Sequence, residues 1–164
     1  MASSFEIDLS DADAPLVLAL DVGSSASRGM IYDAQGRPVG RRAKVSHSFT
    51  VAPGGGSEID PDLVVTEIEQ IVEELLGGLR KTQVAAVAID TFASSLVVVD
   101  ADGTPLTPCY TYADARPGSQ VEGLREELSE ERLQQRTGTR VPVEEVGTDV
   151  GHIAAGDRVV IPFN

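Results

Sequence analysis

Tryptophan is absent from these 164 residues, and there is a single cysteine, Cys109. One thiol excludes an internal disulfide framework, so a reducing, cytoplasmic setting is expected. Basic residues are scarce as well. Lys and Arg number 13 against 26 Asp and Glu, which leaves a net charge of −13. Binding a polyanion needs clustered cations, so the balance argues against DNA, RNA and an anionic membrane surface as partners. No apolar run approaches the roughly twenty residues of a membrane span. Met1 to Ala14 is acidic and lacks the basic start and apolar stretch of a signal peptide. Zinc has no ligand set, because His152 stands alone and Cys109 is far from it in sequence. A glycine fingerprint for a dinucleotide is missing too. What is present is an apolar content of 41%, enough for the core of one ordinary domain.

The chain is organised around residues 16–33. Leu16-Val17-Leu18-Ala19-Leu20 carries no helical stripe and reads as a buried strand ending on one carboxylate, Asp21. Gly23-Ser24-Ser25-Ala26-Ser27 follows as a turn of small residues. Then come Arg28 and a second run, Met30-Ile31-Tyr32, closing on Asp33. Backbone N–H groups exposed in such a turn form a concave anion site. Ser24, Ser25 and Ser27 add hydroxyls and Arg28 adds a cation. Asp21 offers a carboxylate able to hold a divalent metal beside a phosphate. Two readings stand on these residues alone: a phosphate site, or a hairpin between core strands with Asp21 capping its turn.

Val39 to Thr50 reads as a third strand that completes an antiparallel meander. Arg41, Arg42 and Lys44 form a solvated basic face there, and His47 follows. Asp60 and Pro61 are an N-cap and first helical position. Behind them Val64, Ile68, Ile71, Val72, Leu75, Leu76 and Leu79 make one apolar stripe, with Glu67, Glu69, Glu73 and Glu74 assigned to the solvated side. Val84 to Ile89 is a second buried strand, ending on Asp90. A right-handed crossover through the helix makes it parallel to Leu16–Leu20. Both strands then open on one edge, where open α/β sheets bind ligands. Further strands are expected at Ser95–Val99 and Pro108–Tyr112, with a turn at Asp100–Gly103. Helices are expected over 119–128 and 129–136, with Ser129 as a cap and Gly138 as a stop. Residues 1–14 are expected to be a disordered lead-in, although Phe5, Ile7 and Leu9 alternate as a weak edge strand does.

Asp21-Val22-Gly23-Ser24-Ser25-Ala26-Ser27-Arg28 resembles the first phosphate motif of the FGGY carbohydrate kinases, in the actin/hexokinase-like ATPase superfamily. The resemblance continues to about residue 140, through Asp60-Pro61, Tyr112-Ala113-Asp114-Ala115-Arg116 and Thr137-Gly138. It implies ATP and Mg2+ as cofactors and a sugar or polyol as substrate. Asp21, Gly23, Ser24, Ser25 and Arg28 would contact ATP phosphates, with Asp21 on the metal. The loop carrying Phe92, Ala93 and Ser94 matches one that contacts the sugar, although many relatives have larger polar residues there. Tyr112 stands where Trp is commoner. An aromatic face stacks on a sugar ring, and a carboxylate and guanidinium such as Asp114 and Arg116 hydrogen-bond its hydroxyls. By themselves, without the other motifs, Asp114 and Arg116 read as an ion pair capping a strand end.

Past Gly138 the pattern changes. Val143-Glu144-Glu145-Val146-Gly147 and Gly156-Asp157-Arg158-Val159 are similar to the β-rich catalytic domain of zinc-dependent medium-chain alcohol dehydrogenases, and read as two short Val-rich strands. The expected architecture is α/β. A lead-in (1–14) precedes a partial actin/hexokinase-like, ribonuclease H-like domain (15–140). Its mixed sheet is an antiparallel meander followed by a parallel strand, and a short β tail (141–164) ends it. The resemblance puts the general base and the second nucleotide-binding domain beyond the matching stretch, so no catalytic residue is assigned. The expectation is a truncated or chimeric FGGY-type kinase with little or no activity of its own. The alternative is a non-catalytic self-associating or interaction module, using the acidic helix face or an open sheet edge.

Overall fold

The computed structural model describes residues 6–77, 79, 83–127, 129–138 and 158–160. They fall into two compact units. One takes in the chain up to Ser48 together with Asp62–Thr91. The other takes in Phe49–Pro61 and the chain from Phe92 onward.

The first unit is a four-stranded sheet with one helix. Strands β1 (Leu16–Val22), β2 (Ala26–Tyr32) and β3 (Pro38–Ser46) form the antiparallel meander. Helix α1 (Pro61–Leu76) leads to β6 (Val84–Thr91), which runs parallel to β1. The order is β3-β2-β1-β6, so the mixed sheet is as the sequence pattern predicts. Alternation in β1 sends Leu16, Leu18 and Leu20 to one face, where they join Ile31, Ala43 and Ile71 of α1 in the core. Ile71 is 0% exposed. Gly29 lets the helix lie flush on the sheet: a Cβ there would stand 2.4 Å from Ile71 Cγ2 and 2.8 Å from Leu75 Cδ1.

Several expectations need correction. β2 begins at Ala26, so Ser27 and Arg28 belong to a strand and the turn is only Gly23–Ser25. The meander ends at Ser46 rather than Thr50. The chain leaves the sheet at His47, whose N–H goes to the Ser25 carbonyl at 3.1 Å. Glu67 is buried, not solvated. It lies four residues before Ile71, which puts it on the helix face that meets the sheet. β6 is open rather than buried, with Val87 and Ile89 at 61% and 62% exposure. It is the last strand of the order, and α1 packs over β1–β3 instead. The lead-in is tied down over residues 6–14. Ile7 bridges Val39, with Ile7 N–H to the Pro38 carbonyl at 2.9 Å, because backbone groups along the β3 edge take a partner. Asp33 anchors the same region by accepting from the backbone N–H groups of Asp13, Gln35 and Arg37 and from the Arg37 guanidinium.

In the second unit, β4 (Thr50–Ala52), β5 (Gly56–Ile59) and β8 (Cys109–Tyr110) form an antiparallel sheet. β7 (Val97–Val99) pairs with β9 (Arg158–Val160). The β8 region is shorter than the strand expected there. The 100–103 turn forms as predicted, with Asp100 accepting from the N–H groups of Asp102 and Thr104. Helices α2 (Gly118–Glu127) and α3 (Glu130–Thr137) follow. Ser129 Oγ caps α3 by accepting from Arg132 N–H. Gly138 ends it in the left-handed region, where glycine carries no Cβ penalty. The first expected tail strand, 143–147, and His152 lie outside the described residues. Among the described residues, no helix is long and apolar enough to cross a membrane.

The contact at Gly29 gives a direct test of this packing. Gly29→Ala should cost about 1–3 kcal/mol, the range for overpacking a filled core, measured as a fall in the urea midpoint at unchanged m-value.

Candidate functional site

In the first unit the register decides the geometry. Asp21 on β1 pairs with Asp90 on β6, so both carboxylates arrive at the carboxyl-terminal ends of neighbouring parallel strands. Alternation places Asp21 on the face opposite the α1 core, and it is exposed. Arg28 sits across from it on β2 and donates from Nη1 to Asp21 Oδ2 at 3.1 Å. Beside them the turn is closed by Gly23 N–H donating to the Ala26 carbonyl at 3.0 Å. A Cβ on Gly23 would lie 2.9 Å from the mobile end of Arg28, Nη1, and 3.3 Å from that carbonyl, so a side chain there would crowd both. Ser24 and Ser25 are exposed at its tip. A cleft of about 470 Å3 runs past Asp21, Arg28, Met30, Arg42 and Asp90. The structure therefore brings Asp21, Gly23, Ser24, Ser25 and Arg28 together, with Asp90 added. Ser27 leaves the group. Its hydroxyl points to the helix side and donates to Glu67 Oε2 at 2.7 Å.

Behind the turn lies a cluster that the sequence did not reveal. His47 Nδ1 is 2.8 Å from Glu67 Oε2, and His47 Nε2 is 2.8 Å from the Gly23 carbonyl. The two side chains are 2% and 4% exposed. The sequence pattern puts His47 at the end of a basic face and Glu67 on an acidic one. The available signal was the spacing of Glu67: three residues after Val64 and four before Ile71, it lies on the apolar stripe.

The donor set suits magnesium carried by a nucleotide. Among the described residues, no three His, Cys, Asp or Glu side chains gather as a cage. Mg2+ is commonly held by one or two carboxylates together with substrate phosphates, and keeps several waters. Asp21 is an exposed carboxylate of that kind, beside the glycine-serine turn.

In the second unit, Phe92 and Tyr112 are brought together around Phe49, which the sequence reading did not single out. Phe49 meets the Phe92 ring edge-on at 5.4 Å and the Tyr112 ring at 6.0 Å. Ala93 and Ser94 follow Phe92 in its loop, where Ser94 has φ 51°. Asp114 and Arg116 pair with each other and with β5. Asp114 accepts from Ser57 N–H at 3.2 Å, and Arg116 reaches Glu58 at 2.7 Å. Burial would raise the Asp114 carboxyl, but the Arg116 side chain and the N–H groups of Arg116 and Ser57 outweigh it and hold it below the usual carboxylate range. Burial pushes the Cys109 thiol up to about 11, which suits a packing residue rather than a nucleophile.

The profile of the FGGY family of carbohydrate kinases, N-terminal domain, matches residues 16–146. The chain belongs to the FGGY family of carbohydrate kinases. Similar curated proteins include an apulose kinase of Pectobacterium atrosepticum, 29% identical over 77% of this chain and 26% of that protein. A glycerol kinase of Koribacter versatilis is 35% identical over 76% of this chain and 25% of its own length. Among solved structures, the gluconate kinase from Lactobacillus acidophilus superposes with a TM-score of 0.63 at 26% identity, over 76% of this chain and 25% of that one. The xylulose kinase from Rhodospirillum rubrum gives 0.70 at 22%, over 77% and 26%. The fold is thus that of part of an actin/hexokinase-like sugar kinase, and this FGGY chain spans about a quarter of the length of the relatives it matches. The family match runs to Val146, a few residues past the change of pattern after Gly138.

Within this FGGY domain the Asp114 carboxylate gives a pH test. Its lowered folded value means that its stabilisation is present above the unfolded value near ~4 and is lost as pH falls through the folded one. Asp114→Asn should cost about 1.5–3 kcal/mol at pH 7, the range for a charged hydrogen-bond partner. The gap to wild type in urea unfolding should narrow as pH falls below about 4.

Proposed function

We propose that the first unit of this FGGY domain supplies the phosphate end of an ATP site, and that the activity it serves is transfer of a phosphoryl group to a sugar or polyol hydroxyl. The observation that carries this reading is the pairing of Asp21 with Asp90 at one sheet edge, beside the glycine-serine turn. Open α/β sheets gather ligands at that edge. FGGY kinases use ATP and Mg2+, and the metal, when bound, offsets charge on the phosphates being transferred. In this reading Asp21 holds Mg2+ through water, and the Ser24 and Ser25 N–H and hydroxyl groups receive phosphate oxygens. Gly23 gives the phosphate room to approach. Arg28 holds the Asp21 carboxylate in place and adds a cation. Phe92, Ala93, Ser94 and Tyr112 are offered to the sugar, and Asp114 and Arg116 to its hydroxyls or to the framework around it.

The relatives are named for apulose, glycerol and gluconate, so the proposal stops at the class of substrate. No residue here is assigned as general base, and that assistance is typically worth ~10²–10⁴ in rate. We therefore expect the 164 residues by themselves to bind Mg·ATP and to phosphorylate slowly or not at all. Calorimetric titration with Mg·ATP tests the site. Asp21→Asn should weaken binding about tenfold, or ~1.4 kcal/mol, and should abolish the difference between titrations with Mg2+ and with EDTA. Equal affinity and equal metal dependence in wild type and variant would refute the assignment.

A second reading is favoured by β6. This eight-residue edge strand is largely exposed and apolar, with neither lysine nor proline to blunt it. We propose that two copies pair along it. Light scattering should show mass rising with concentration for the wild type and a constant monomer mass for Ile89→Lys. A wild type that stays monomeric at every concentration would rule the pairing out.

A further inference from the structure

We infer that His47 is a positioning residue for the phosphate turn, fixing which way the Gly23–Ser24 peptide faces. The inference rests on the reading of Gly23–Ser25 as that turn and deepens it. A carbonyl oxygen can only accept, so the 2.8 Å contact between His47 Nε2 and the Gly23 carbonyl places a hydrogen on Nε2. The His47 backbone N–H also donates to the Ser25 carbonyl at 3.1 Å. One buried residue thus holds two carbonyls of the turn.

In a trans peptide the C=O and N–H point in opposite directions. With the Gly23 oxygen held inward, the Ser24 N–H faces away from His47, toward the side where a phosphate would sit. Reaching the opposite orientation turns Gly23 ψ and Ser24 φ together, and the missing Cβ of Gly23 eases only the first of these. That flipped peptide would present an oxygen to an anion and repel it. The hydrogen bond from His47 selects against it, and the ring is aimed for the task. Glu67 Oε2 accepts from the Ser27 hydroxyl at 2.7 Å and lies 2.8 Å from Nδ1, so a further hydrogen sits between Glu67 Oε2 and Nδ1. The chain Ser27–Glu67–His47–Gly23 joins β2, α1 and the turn through groups almost entirely out of water. Low exposure strengthens each of these bonds and makes an unpaired member costly.

Two conservative variants separate this role from simple packing. His47→Gln keeps an amide donor near the position of Nε2. His47→Asn keeps a donor near Nδ1 and loses the reach to Gly23. Mg·ATP affinity should fall about tenfold in His47→Asn and stay within about twofold in His47→Gln, with the Gly23 carbonyl and Ser24 amide resonances shifted only in the former. Equal affinities and equal spectra for the two variants would overturn the inference. The ligand-free wild type gives an independent reading: nitrogen NMR should find His47 protonated at Nε2, with a coupling across the hydrogen bond to the Gly23 carbonyl. A bare Nε2 would overturn the inference even if neither variant folds. Failure of the wild type to bind Mg·ATP would instead remove the phosphate reading, while the Nε2 signal still reports whether the hydrogen bond exists.

Discussion

Helix α1 can lie against the sheet only because residue 29 has no side chain. Ile71 and Leu75 occupy the space a Cβ would need there, and the rest of the first unit follows from that close approach. With the helix seated, the chain returns to the sheet beside β1 and in the same direction, as a right-handed crossover requires. The return sets Asp90 next to Asp21. It also carries Glu67 to within hydrogen-bond distance of Ser27 and His47. A single packing contact therefore sets both the acidic rim and the buried polar chain behind the turn.

The sheet was legible because its signals are periodic. Leu16, Leu18 and Leu20 alternate, Val64 to Leu75 recur at helical spacing, and Asp60-Pro61 marks the helix start. Burial of such a stripe, worth about 1.5–3 kcal/mol per large side chain, leaves the helix little choice but to pack on the sheet. The candidate turn was legible through its run of small residues, Gly23 to Ser25. What periodicity could not supply was partnership. Glu67 and His47 are polar, and polar residues default to the surface. Their burial depends on each other and on the Gly23 carbonyl, contacts spanning 20 and 24 residues of sequence. β6 shows the converse failure. Its apolar run read as buried, yet burial depends on what lies next to a strand, and it is the last of its sheet.

The net charge of −13 bears on the phosphate reading as well. A strongly acidic protein has no general attraction for ATP, so affinity has to come from local donors. Arg28 is one, although Asp21 already engages it. The Ser24 and Ser25 hydroxyls and backbone N–H groups are others, and the N–H groups carry only partial charge, so their direction matters more than their number. Under that constraint a buried histidine is better placed than an exposed lysine to serve the site. Paired with Glu67, it adds no net charge at the rim. In the proposed role it holds the Gly23 carbonyl inward, so that the Ser24 amide hydrogen faces the side offered to phosphate.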